Sequence, residues 1–181
     1  MKKFSKVLFI LYLIALLWLV LFKFSFDIPS VLLHYQTRSL NLIPLASSHL
    51  GEMFANFIVF IPFGLLLSIN FKQLNTWRKL TYIFIFSVGV EITQFMFAIG
   101  ATDITDVIMN TLGGLAGLLM YNSTRQVDNS KHDQLITIVC ASLIFIVILL
   151  RLFVFRVKYW VVTIILIGSW VECWYYFYNE T

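Results

Sequence analysis

Charge is what this chain has least of. Asp, Glu, Lys and Arg are 12% of its 181 residues, against roughly a quarter in a soluble domain, and the mean hydropathy is +0.89. That balance excludes a large soluble domain, and no low-complexity tract or internal repeat breaks the apolar pattern. The net charge of +4 comes from short flanks of apolar runs. Nothing clusters into a nucleic-acid footprint, and "NTWRK" (Asn75–Lys79) is the kind of short basic loop that anionic lipid attracts. There are two cysteines, Cys140 and Cys173, both inside apolar runs, so neither a disulfide framework nor a zinc spacing is available. No Ser-His or Cys-His pairing falls among the polar motifs, and His34 and His49 share one loop.

Apolar length is what the chain has instead. A bilayer core of about 30 Å takes about 20 helical residues to cross. Six candidate spans meet or approach that length: one containing Leu8–Phe22, then Phe54–Phe71, Leu80–Ile99, a short Asp106–Tyr121, Leu135–Leu150 and Tyr159–Tyr178. The first has the basic head of a signal peptide. Its apolar stretch is long, however, and no small-x-small cleavage site follows, so it reads as an uncleaved helix. The expected fold is an all-α polytopic membrane protein of five to six transmembrane helices with short loops. Residues 1–122 would form one transmembrane domain and 123–181 a C-terminal hydrophobic hairpin of unassigned role.

Lys and Arg in short loops set orientation. Lys2, Lys3 and Lys6, then Lys72, Arg78 and Lys79, then Arg125 and Lys131 all fall on one side, which puts the N-terminus in the cytoplasm. Arg151, Arg156 and Lys158 break the rule in the last hairpin.

Against this background a few polar residues stand out. "GATDITDVIMNTLGG" places Asp103, Asp106 and Asn110 at helical spacing where the chain re-enters the membrane. Helix capping accounts for an Asp-x-x-Asp at a helix start, since both carboxylates face the positive end of the dipole. It does not account for Asn110, which continues the row, nor for Glu91 and Gln94 on the preceding span. An acidic residue near a span's centre costs about 2.5–3.5 kcal/mol on insertion scales. At 1.5 Å per residue, Asn56, Gln94, Asp106 and Asn110 share one layer roughly 6–8 Å below the outer boundary, with Glu91 a turn deeper. Gly113 and Gly117, four apart, make a small-xxx-small surface for close packing. Pro62 removes a backbone donor inside the second span, and Gly64 beside it adds a point of close approach.

With these pieces assembled, the chain resembles the VanZ-like family of small bacterial membrane proteins. The resemblance rests on "RSLNLIPL" from Arg38, "NFIVFIPFGLLL" from Asn56, "GVEITQF" from Gly89 and "DITDVIMNTLGGLAG" from Asp103, in that order over residues 38–121. Members often carry an Arg shortly before the aspartates, and here "AIGATDITD" has none. The resemblance implies a multi-pass protein of the bacterial cell membrane whose founding relative raises resistance to the glycopeptide teicoplanin by an activity not established. It carries Asn56, Glu91, Gln94, Asp103, Asp106 and Asn110 over as candidate ligand-binding residues. Pro62, Gly64, Gly113 and Gly117 are the structural motif.

Two classes of function fit. One is a non-enzymatic envelope protein that binds a lipidated or lipid-linked ligand, a lipoglycopeptide or a cell-wall lipid precursor, at the outer leaflet. The other is an intramembrane hydrolase or transferase with Glu91 and Asp106 as acid and base. A small transporter is a third, more distant possibility. Membrane lipid is the expected partner, and no cofactor, resident metal or nucleic acid is expected. A Mg²⁺ or Mn²⁺ held by Asp103, Asp106 and Asn110 would belong only to the enzyme reading.

Overall fold

The computed structural model describes residues 2–22, 39–45, 50–99, 101–124, 131–149 and 153. Five helices in it are long and apolar enough to cross a membrane: α1 (Lys2–Leu21), α2 (Leu50–Asn70), α3 (Thr76–Phe97), α4 (Ile104–Thr124) and α5 (Lys131–Leu149). The architecture is helical, as composition requires. Two three-residue strands, β1 (Ser39–Asn41) and β2 (Ala101–Asp103), pair in parallel and are the exception. The expected span 159–178 lies outside the described residues. By Cα proximity the chain divides into Met1–Ile144 and Phe145–Thr181, and the site described below belongs to the first unit. The described part of the second carries α5 on to Leu149.

Helix ends follow local chemistry. Asn75 caps α3, its side-chain oxygen accepting from the Arg78 N–H at 2.8 Å. At the other end Ala98 takes a left-handed conformation (φ 51°) and the Ile99 N–H returns to the Gln94 carbonyl. The fourth helix is not short. It gains residues at both ends because Ile104 begins it directly behind Asp103 and because polar Asn122–Thr124 continue it beyond the apolar run.

Packing is built on aromatic and aliphatic side chains of α1, α2 and α3. Phe63 meets Phe9 at 6.1 Å and Phe86 edge-on at 5.2 Å between ring centres, and the Tyr12 hydroxyl donates to the Val59 carbonyl. Phe60, Leu66, Ile83 and Leu118 are fully buried. Opposite faces present Ile10, Ile14, Ile85, Met96 and Leu119 outward, as lipid contact demands.

Two kinds of contact hold α4. Toward α2, a Cβ on Gly113 would stand 2.1 Å from the Phe57 carbonyl oxygen, and one on Gly117 2.1 Å from that of Ile61. A Cβ on Gly64 would meet the Gly114 oxygen at 2.1 Å. The pairs advance in the same sense along both helices, so α2 and α4 run parallel in backbone contact. Small residues are needed there because any side chain would force the helices apart. Toward α3 the pairs advance in opposite senses, Ile83 against Gly114 and Ser87 against Asn110, and that pair is antiparallel.

Candidate functional site

The polar residues collect at the end of the bundle where α1 and α3 finish and α2 and α4 begin. After Phe97 the chain does not cross directly to α4. It doubles back, so that the Thr102 hydroxyl donates to the Glu91 carbonyl (3.3 Å) and the Asp103 N–H donates to Glu91 Oε2 (3.0 Å). Glu91 lies six residues before the helix end, so the connection re-enters by about 9 Å at 1.5 Å per residue. Non-helical backbone at such depth must find its partners inside the protein. β1 supplies them from one side, in register Ser39↔Ala101, Leu40↔Thr102 and Asn41↔Asp103, and the Glu91 carboxyl supplies one from the other.

Asp103 is the N-cap. Its Oδ1 accepts from the Thr105 N–H at 2.8 Å. Its Oδ2 accepts from Asn41 Nδ2 at 3.1 Å, so the same carboxyl also fastens β1. The Thr105 hydroxyl extends the tether by accepting from the Leu45 N–H at 3.0 Å. Capping thus explains Asp103 but not Asp106, which turns to α2 and accepts from Asn56 Nδ2 at 2.7 Å, with both side chains buried.

The single polar layer expected from helical rise separates into different jobs. Gln94 donates to the carbonyls of Val20 (3.0 Å) and Leu21 (3.3 Å), serving the last turn of α1. Asn110 donates to Ser87 Oγ at 2.9 Å. Glu91 stands level with the re-entrant Asp103, not a turn below Asp106. Because the connection re-enters, counting depth from the ends of the apolar runs misplaces it. Of the acid–base candidates, Glu91 accepts from the Asp103 N–H and Asp106 from Asn56 Nδ2. Asp103, Asp106 and Asn110 likewise direct their side chains to three separate places.

What these contacts frame is a cavity of about 270 Å³ between α3, α4 and the strand pair. Leu40, Leu42, Val88, Ile92, Phe95, Ile104 and Val107 line it together with Glu91, Thr102 and Asp103, and its wall surface is apolar throughout. Glu91 and Asp103 are 4% and 6% exposed. Their carboxyl groups sit behind the wall and hold it in place. Asn56, Gln94, Asp106 and Asn110 do not line the cavity.

Asn41, Ser87, Thr102 and Thr105 complete the network and stand outside the candidate residues of the sequence motifs. Ser87 could have been found, since Ser87, Glu91 and Gln94 form one row at helical spacing. Asn41 reaches Asp103, and Thr102 is set opposite Leu40, only through a strand pairing across some sixty residues of sequence, which no local pattern announces.

The comparisons with known proteins agree on one lineage. The VanZ/LLP1 family model matches residues 9–126. Protein VanZ of Enterococcus faecium is 47% identical over 152 residues, covering 83% of this chain and 94% of that protein. No solved structure matches. The matched span takes in α1 from Phe9 onward, α2 to α4, the strand pair and every residue of the network just described, and the chain belongs to the VanZ/LLP1 family.

Proposed function

We propose that this protein resides in the bacterial cell membrane and binds a lipidated or lipid-linked ligand at the strand end of its bundle, contributing to resistance to teicoplanin-type glycopeptides. The observation that carries the reading is the apolar cavity bounded by β1, β2, α3 and α4. Ligand sites are mostly apolar concavities with few polar groups, and here the polar side chains are spent on building the concavity. The Lys and Arg distribution supports an orientation with the N-terminus inside and the strand end in the outer leaflet. That is where the lipid tail of a lipoglycopeptide, or of a cell-wall precursor, would lie. The resistance role follows the family, whose member in Enterococcus faecium is so similar over most of both chains.

A deletion strain, complemented with the wild-type gene or with a cavity-filling Val107→Phe variant, tests this with teicoplanin and vancomycin side by side. The deletion should raise susceptibility to the lipid-tailed drug more than to vancomycin, and only the wild-type gene should restore it. Unchanged susceptibility to both drugs on deletion would remove the proposal's basis.

A further inference from the structure

We infer that the cavity is a slot for a single alkyl chain, entered sideways from the bilayer, with the ligand's head group left outside. This rests on the ligand-binding reading above and names the part of the ligand that is held.

Three observations carry it. First, among the described residues the lining surface is apolar, and the polar side chains beside it, Glu91, Thr102 and Asp103, are buried. The two nearby carboxyl groups accept from the Asp103 N–H, the Thr105 N–H and Asn41 Nδ2, behind an apolar surface. A head group pushed in would leave its own donors and acceptors unmatched, which is costly in an apolar setting. Second, the volume is small. About 270 Å³ falls under the roughly 300–1,000 Å³ of pockets that enclose drug-sized molecules. At about 30 Å³ for each water-sized group, it takes on the order of nine such groups, room for a length of alkyl chain and not for a whole lipid or glycopeptide. Third, the rim faces lipid. Leu40, Leu42 and Ile92 are 55%, 67% and 53% exposed. Ile92 stands on the same face of α3 as the exposed Ile85 and Met96, at seven- and four-residue spacing. The mouth is therefore continuous with the surface that α3 presents to acyl chains, while Val107, 5% exposed, lies deep within.

The physics of such a slot differs from that of a water-facing pocket. A chain moving from bilayer to cavity leaves one apolar medium for another, so little hydrophobic driving force separates the two. Fit must do the selecting. An unbranched chain can be accepted where a branched one of equal apolarity is refused, and head-group chemistry matters little.

The test uses the purified full chain in phosphatidylglycerol vesicles with two photoactivatable phospholipids, one carrying a diazirine near the chain terminus and one on the head group. Labelled positions are read by mass spectrometry. The chain probe should label Val107 as well as the lipid-facing Ile85, and the head probe should not label Val107. Filling the slot with Val107→Phe, or with Val88→Phe if the first variant does not accumulate, should lower chain labelling of the buried lining residues Thr102 and Asp103 to about a tenth, leaving Ile85 and the rim residue Ile92 unchanged. Head-probe labelling of Val107 equal to that of the chain probe would overturn the inference. So would a chain probe that labels Ile85 and never Val107. Drug susceptibility separates the two readings. Slot labelling abolished without a change in resistance would sink the ligand-binding role and leave the slot. Resistance lost in a protein whose cavity is reached by the head probe would sink the slot and leave the role.

Discussion

Helix α4 has two neighbours and meets them in opposite ways. Against α2 it lies backbone to backbone, with Gly113 on the Phe57 carbonyl and Gly117 on that of Ile61. Against α3 it starts far enough away for a doubled-back segment and a cavity of about 270 Å³ to stand between them. The difference lies in what replaces side chains. Where glycine removes them, dispersion and interhelical contact hold the seam directly. Where bulk and carboxyl groups remain, strands and hydrogen bonds bridge the space. The close seam fixes α4 so that the other side can stay open, which is a sound arrangement for a site in a bundle lacking a hydrophobic driving force between its helices.

Adding a methyl group breaks the comparison most directly. Gly113→Ala and Gly117→Ala each place a Cβ onto a carbonyl oxygen that belongs to backbone and cannot swing away. Each should cost at least about 1–3 kcal/mol, the usual range for overpacking, and reduce accumulation in the membrane. Gly114→Ala meets the Ile83 side chain instead, at 2.6 Å, so Ile83→Ala in the same protein should recover part of the loss, offset by the buried aliphatic contact it gives up. Gly89→Ala, with nothing within 4 Å, is the control and should be silent. Thermal unfolding in detergent measures all four. If Ile83→Ala rescued Gly113→Ala equally well, the α2 seam would not be the rigid one.

The open side should fail through its hydrogen bonds. Glu91→Leu leaves the Asp103 N–H without its carboxyl partner and should cost about 1–3 kcal/mol, the price of a buried unsatisfied donor. Glu91→Gln keeps an oxygen in the same place and should retain most of the stability. A protein whose stability and drug resistance both survive Glu91→Leu would show that the re-entrant strand stands without Glu91. Asp103→Ser should preserve the cap on α4 yet release Asn41, and thus loosen β1 more than the helix.

How much of this was legible beforehand follows the same division. The glycine spacing, Pro62 and the apolar runs are local patterns, and they gave the helices, the close-packed face of α4 and the family. Counting residues puts Asp106 and Asn56 in one layer, and they are bonded because α2 and α4 begin at the same level. The same count puts Gln94 in that layer, but it serves carbonyls of α1, a helix that carries no polar signal at its end to reveal the need. The strand pair was beyond reach. Three-residue strands in "RSLNLIPL" and "GATD" have no periodicity to detect, and their register is set by a chain that turns back on itself.

Between the two sides lies the Asn56–Asp106 pair, part of the close seam yet polar. Interhelical hydrogen bonds in membranes average about 0.6 and reach about 1.7 kcal/mol in double-mutant cycles. A cycle of Asn56→Ala and Asp106→Ala should return a coupling within that range. Asp106→Asn should fall between wild type and Asp106→Ala, because its amide oxygen can still accept from Asn56. A coupling near zero would mean that the glycines alone align the helices, with the polar pair merely tolerated.

The smallest effect belongs to the far end of α4, where neither a glycine seam nor a cavity is at stake. There the Tyr121 hydroxyl donates to Asp133 Oδ1 at 2.9 Å, and the Lys72 ammonium pairs with the other oxygen of the same carboxyl group. Burial works against the lysine's charge, but the hydrogen bond to Asp133 and that residue's own charge outweigh it, so the Lys72 pKa is raised above 10.5. A cation raised in this way stabilises the fold fully below its unfolded pKa and loses the contribution only as pH climbs through the folded value. The gap in melting temperature between wild type and Lys72→Gln should therefore be flat through neutral pH and close only in strong alkali. It should also be small. Lys72 is 38% exposed, and ion pairs of that kind contribute about 0–1 kcal/mol and weaken with salt. A Lys72→Gln loss as large as that of Gly113→Ala would show that α4 is fixed from this end as well, and that the glycine seam does not act alone in holding the cavity open.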